Sequence, residues 1–125
     1  MATGPQWAGT PRLSGCKIST ANTARDGSGT LGTVIIAEAA GTRVDLLSIK
    51  AQGTVTNGMI RVFVEANATK FLVTEVPVIA TTPSGEVSTF ETMVVLELPM
   101  QANAKLLAST EKAEAFDVFV VAGDF

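Results

Sequence analysis

Gly27-Ser28-Gly29-Thr30-Leu31-Gly32 fits the spacing G-x-G-x-x-G, and with Val34 it also fits the glycine-rich loop of a kinase. Glycines so spaced let backbone N–H groups close around a phosphate, provided that a helix begins directly behind them. The next residues are TVIIAEA, a β-branched run that reads as a strand, so the dinucleotide reading fails. A kinase also needs H-R-D and D-F-G segments, and the terminal Gly-Asp-Phe is not the second of these. The stretch is read as a loop.

Other chemistry-bearing residues are few. The chain has no histidine, which removes the usual general base and, with it, Ser-His-Asp and Cys-His catalysis. Zinc sites of cysteine and histidine go the same way. Cys16, the single cysteine, sits in GCKIS at an expected strand start and reads as a small buried hydrophobe. Being alone, it forms no internal disulfide. A glycosidase needs two carboxylates facing one another across a cleft. Of the 12 present, Glu75, Glu91, Glu97 and Asp117 fall singly on polar strand positions, and Glu111 and Glu114 flank a turn. Asp26 lies beside a Gly-Ser pair, but no D-x-D-x-D-G calcium pattern surrounds it. Asn67-Ala68-Thr69 has the form of a glycosylation sequon, which matters only in a secreted eukaryotic chain. The chain is expected to be no enzyme and to use no cofactor or metal.

The elements that carry these residues are short and rich in β-branched side chains. Strands are expected over 16–22, 31–38, 42–52, 57–66, 69–79, 87–98, 103–110 and 115–122. Turn signals separate them: Asp26-Gly27-Ser28-Gly29, Ala40-Gly41, Asn57-Gly58, Asn67-Ala68 and Pro83-Ser84-Gly85. Such spacing points to an all-β fold, an antiparallel β-sandwich of jelly-roll type. Residues 100–115 hold good helix formers, yet Leu106, Ala108 and Thr110 alternate with Lys105, Leu107 and Ser109, which favours a strand. Asn57-Gly58 suits a type I′ hairpin joining 42–56 to 59–66. In RVDLLSIKA the apolar set slips from Val44 and Leu46 to Leu47, Ile49 and Ala51. Either a β-bulge flips the faces there, or both faces are covered.

The 125 residues suit one domain, which can bury roughly two-thirds of its unfolded surface. Charged residues make up 17% and hydrophobic ones 46%, so little charge is left to coat a free-standing surface. That balance favours a chain that works within an assembly. Net charge is −3, and the nine Lys and Arg are scattered singly from Arg12 to Lys112, which argues against nucleic acid as a partner. No apolar run is long enough to span a membrane, and MATGPQWAGTPRLSG lacks the basic and apolar regions of a signal peptide. Rich in Gly, Pro and Thr, residues 1–15 read as an extended arm outside a domain of 16–125, with Trp7 as an anchor that orders on binding. Deleting them is expected to leave the β fold intact. Strand 59–65 is apolar on both faces: Ile60, Val62 and Val64 on one, Met59 and Phe63 flanking Arg61 on the other. Interfaces favour aromatic residues, Met and Arg, so Trp7, Met59, Arg61, Phe63, Phe71 and Val73 are the expected contacts with another subunit or a capsid. A second sheet of the same chain is the alternative cover.

The order of pieces resembles a group of small β-rich virion proteins of tailed bacteriophages and prophages. The resemblance spans residues 18 to 125 and rests on Gly27-Ser28-Gly29-Thr30, Arg43-Val44-Asp45, Ile49-Lys50-Ala51, Gly58-Met59-Ile60-Arg61-Val62-Phe63 and Gly123-Asp124. It implies a structural virion component, best read as a capsid cement or decoration protein on the outer head surface. It implies synthesis in the bacterial host cytoplasm, the major capsid protein as partner, and a homotrimer by analogy with decoration proteins. It supplies no catalytic residues. The rival reading, a carbohydrate- or receptor-binding module, lacks the usual aromatic platforms, since the chain has no Tyr and one Trp.

Overall fold

Period-two alternation of apolar residues, interrupted by glycine and asparagine turns, produces strands. The computed structural model of the protein describes residues 9–125, and Trp7 lies outside them. Eight strands follow one another: β1 (Thr10–Ile18), β2 (Gly32–Ile36), β3 (Thr42–Ala51), β4 (Gly58–Ala66), β5 (Thr69–Val78), β6 (Glu91–Met100), β7 (Lys105–Thr110) and β8 (Phe116–Asp124). None of the described residues is helical, and 100–115 holds the end of β6, a turn, β7 and a second turn. The first sheet has the order β1-β8-β3-β6 and the second β2-β7-β4-β5, with antiparallel neighbours in both. This interleaving is a jelly roll: most connections cross between sheets, so strands distant in sequence lie side by side. Between the sheets Val44, Leu47 and Ile49 of β3, Val118 and Val120 of β8, Ile60 and Val62 of β4 and Leu106 of β7 are buried.

The slip in β3 is a bulge. Register shifts between Val44 and Leu46 against both neighbours: Asp45 is the extra residue against β8, while β6 skips two residues, Leu96 and Glu97, where β3 skips Asp45. Val44 and Leu47 both point inward, and Leu46 goes to the outer face.

The expected Asn57-Gly58 hairpin does not form. β3 and β4 belong to different sheets, and neither residue has the positive φ that a type I′ turn requires. Asn57 instead accepts a hydrogen bond at Oδ1 from Ala80 N at 2.9 Å. The two-residue turn with both φ values positive lies at Asn67 (53°) and Ala68 (62°), where Ala66 of β4 pairs with Thr69 of β5.

The arm boundary also moves. β1 starts at Thr10 and pairs with β8 from Thr10–Asp124 to Ile18–Phe116, so residues 10–15 belong to the first sheet and not to an arm. Alternation of small and polar residues hid this strand: its inward positions are Arg12, Ser14 and Cys16, which meet the edge of β2 before the core proper. Ser14 Oγ donates to Val34 O at 2.7 Å and Arg12 Nη1 donates to Ile36 O at 2.7 Å, stitching the edges of the two sheets together. Deleting residues 1–15 should therefore cost at least about 2 kcal/mol, at roughly 1 kcal/mol for each of these two hydrogen bonds. Equilibrium denaturation of the full and shortened chains measures it, and equal stability would refute the structural role of β1.

Candidate interaction surface

The outer face of the second sheet carries Arg61 and Phe63, which the sequence places at a contact between chains. They are 2% and 1% exposed within a single chain. Residues 19–31, which join β1 to β2, cross this face from β7 to β5. Asn22 N donates to Thr110 O on β7, Arg25 pairs with Glu75 on β5, and Gly27 abuts Lys70 on β5. Asn22 shapes the connection: its Nδ2 donates to Ser28 O at 2.9 Å and Thr30 O at 2.8 Å, and its Oδ1 accepts from Ala24 N. Gly29 has φ +79°, and a Cβ there would lie 2.8 Å from the Asn22 amide. The G-x-G-x-x-G spacing thus serves a loop folded on its own asparagine.

Charge fixes this cover. Arg61 Nε donates to Glu75 Oε2 at 3.0 Å, and Nη1 donates to Glu111 Oε2 at 2.9 Å. Arg25 Nε donates to the same Glu75 oxygen at 2.7 Å. A buried guanidinium with two carboxylate partners is a tolerable charge, and those carboxylates stay partly wet. Arg25 first, then Arg61, holds the Glu75 carboxyl below the usual range. The remaining expected contacts scatter. Met59 is half-buried, Val73 is half-buried against the core, and Phe71 is 54% exposed on the edge strand β5. These residues form no single patch.

The outer face of the first sheet is different. Leu13 pairs with Val121, Val121 with Leu46, and Leu46 with Val95, placing one apolar side chain from each strand in a row. The next row is Gly15, Phe119, Ser48 and Met93. Leu13, Met93 and Val95 are 72%, 68% and 66% exposed, and Phe119 and Val121 are also exposed. The row after that is Lys17, Asp117, Lys50 and Glu91. Lys17 Nζ lies 2.6 Å from Asp117 Oδ1, and Lys50 Nζ lies 3.8 Å from Glu91 Oε1. The Asp117 carboxyl is held below its usual range by Lys17, then by Gln52. Sequence reasoning misses these apolar residues, although β6 (ETMVVLELPM) and β8 (FDVFVVAGD) are apolar in both phases, as 59–65 is.

Among the described residues no group of three or more His, Cys, Asp or Glu could hold a metal ion, and no helix is long and apolar enough to cross a membrane. Cys16 is half-buried, and burial pushes its thiol pKa up, which disfavours the thiolate. A cleft of about 150 Å³ beside residues 17–20 and 30–32 offers Lys17 and hydroxyls but no carboxylate.

No family model matches the chain, and no curated protein matches it. Among solved structures it is similar to a chain of the T13 IBDV viral particle, with a TM-score of 0.43 and 14% identity. The similarity covers 99% of this chain and 33% of that one, so this chain spans about a third of the other's length. At this score the likeness carries no argument about function.

Two outcomes are expected at the charged cover. Arg61→Ala should destabilise the fold by about 3 kcal/mol, the low end for breaking a buried pair, because both carboxylates can rehydrate. A loss below about 1 kcal/mol, the scale of a surface pair, would show that the cluster is not needed. Glu75 ionises more readily folded than unfolded. Its contribution is therefore complete at neutral pH and is lost as pH falls through the ordinary carboxylate range and below. Protection of the amides in residues 19–31, measured against their intrinsic exchange at each pH, should fall over that window. Glu75→Gln should flatten the dependence, and an unchanged profile in that variant would count against the assignment.

Proposed function

We propose that this chain is a structural virion protein of a tailed phage, a capsid cement subunit that seats on the outer head surface and helps hold the shell closed. One observation carries the reading: a row of apolar residues across all four strands of the first sheet, with Phe119 and Met93 in the row beside it, stands largely exposed while the opposite face is covered. Large exposed apolar patches on a soluble chain mark contacts with other molecules. Leu13, Leu46, Met93, Val95, Phe119 and Val121 are the contacts of this chain within the assembly. The sequence resemblance over residues 18 to 125 supports the virion setting, and jelly rolls recur in capsid and lectin domains. Shell reinforcement requires surface complementarity and no covalent step, in keeping with a chain that lacks histidine. Its partners are the major capsid protein and further copies of itself, and it is made in the host cytoplasm.

Purified particles provide the test. The chain should be present at a copy number comparable with that of the major capsid protein, and heads lacking it should rupture at a lower temperature. A handful of copies per particle would place it in a connector, fibre or tail and overturn the cement role.

A further inference from the structure

We propose that the outer face of the first sheet is a twofold contact, on which a second copy of this chain seats face to face with its strands running in the same direction. The inference rests on reading that face as an assembly contact, and it names the occupant.

The order of residues across the sheet carries this pairing. Taken in the sequence β1, β8, β3, β6, the charged row reads Lys17, Asp117, Lys50, Glu91, alternating in sign. The next reads Gly15, Phe119, Ser48, Met93, alternating small and large. The third reads Leu13, Val121, Leu46, Val95 and is apolar throughout. A twofold axis lying between two such faces and parallel to the strands returns each row onto itself in reverse order. An alternating row of four is complementary to its own reverse. Lys17 then meets Glu91 of the second copy, and Asp117 meets its Lys50. Phe119 meets Ser48, and Met93 lies over Gly15, which carries no side chain because Phe119 and Val118 crowd it. Isologous contacts require this reciprocity, in which one residue meets another and the second meets the first.

The orientation follows from the same rows. An axis across the strands would lay the charged row over Pro11, Gly123, Arg43 and Pro99, which cannot answer four alternating charges. Sheet twist rotates packed faces by about 30°, and the long Lys and Glu side chains span the resulting offset. Lys17 and Glu91 are paired with Asp117 and Lys50 of their own chain, yet their side chains are 75% and 64% exposed and keep open surface toward the second copy. Four strands at about 4.8 Å and nine residues at about 3.3 Å give a face of roughly 19 by 30 Å, or about 600 Å² per copy in projection. That reaches the lower end of specific interfaces.

Sedimentation of the full chain at micromolar concentration tests the pairing, with circular dichroism to confirm folding. The chain should be a dimer, and Val121→Asp should make it a monomer. The charged row gives a sharper test. Lys17→Glu sets a new carboxylate against Glu91 of the second copy at two symmetric positions and should weaken the dimer about tenfold. Adding Glu91→Lys should restore it, because the row then reads −, −, +, + and its reverse is again complementary. Within one chain these two residues lie three strands apart, about 14 Å, so repair inside a chain does not explain recovery. A monomer, a trimer, or a double variant no better than the single one overturns the pairing. A dimer of this kind whose chain is absent from purified particles upholds the pairing and overturns the cement role. A chain abundant on particles but monomeric when free does the reverse.

Discussion

β3 lies between β8 and β6 in the first sheet, so its register is imposed on neighbours at both sides. The extra residue at Asp45 lets Val44 and the later set Leu47, Ile49 and Ala51 share one buried face, although their spacing in the sequence is odd. Without it, one group or the other would face outward, since a slip of one residue exchanges every side chain between faces. β6 answers with an irregularity of its own, skipping two residues where β3 skips one and holding Glu97 at φ 45°, a conformation that costs a non-glycine residue free energy. The same slip delivers Leu46 to the outside, in line with Leu13, Val121 and Val95. One inserted residue therefore sets both the inner packing and the composition of the outer face.

The two outer faces solve the same excess of apolar residues in opposite ways. On the second sheet the chain brings its own cover, residues 19–31, and anchors it through Arg61, Arg25, Glu75 and Glu111. The persistence of that cover depends on ionised carboxylates. On the first sheet nothing in the described chain lies across Leu13, Met93 and Val95, and their apolar character is independent of pH. Acid thus loosens the cover of one face, while on the other it reaches the row of Lys17, Asp117, Lys50 and Glu91 and leaves the apolar residues as they were.

Much of the architecture was legible because strands and turns announce themselves locally. The run 69–79 and the observed Thr69–Val78 differ by a residue, and 42–52 and Thr42–Ala51 likewise. The slip at Leu46-Leu47 was visible as a break in alternation, though alternation alone does not separate a bulge from a doubly covered strand. Pairing was less legible. Asn57-Gly58 carries a strong hairpin signal, yet β3 and β4 part into different sheets, and Asn67-Ala68 makes the tight turn despite an alanine at positive φ. The contact face was hidden for a related reason. Two-sided apolarity in 59–65 says that both faces are covered, but not by what, and here a loop of the same chain does it. The same two-sidedness in β6 and β8 was equally visible, and only the partner strands in the sheet show that these residues align into rows.

The positions of the prolines bear on how such a sandwich can join its neighbours. β5 and β6 are edge strands, each with one side unpaired, and β1 and β2 are the edges stitched to one another by Arg12 and Ser14. Pro77 interrupts β5 and Pro99 interrupts β6, while Pro11 lies near the start of β1. A proline removes a backbone donor and obstructs the approach of another strand, a common means of keeping sheet edges from growing. Strand-by-strand addition would extend without limit, as a fibre does. With the edges blunted, association is confined to faces, and contacts between faces are the kind that close on a defined number of copies.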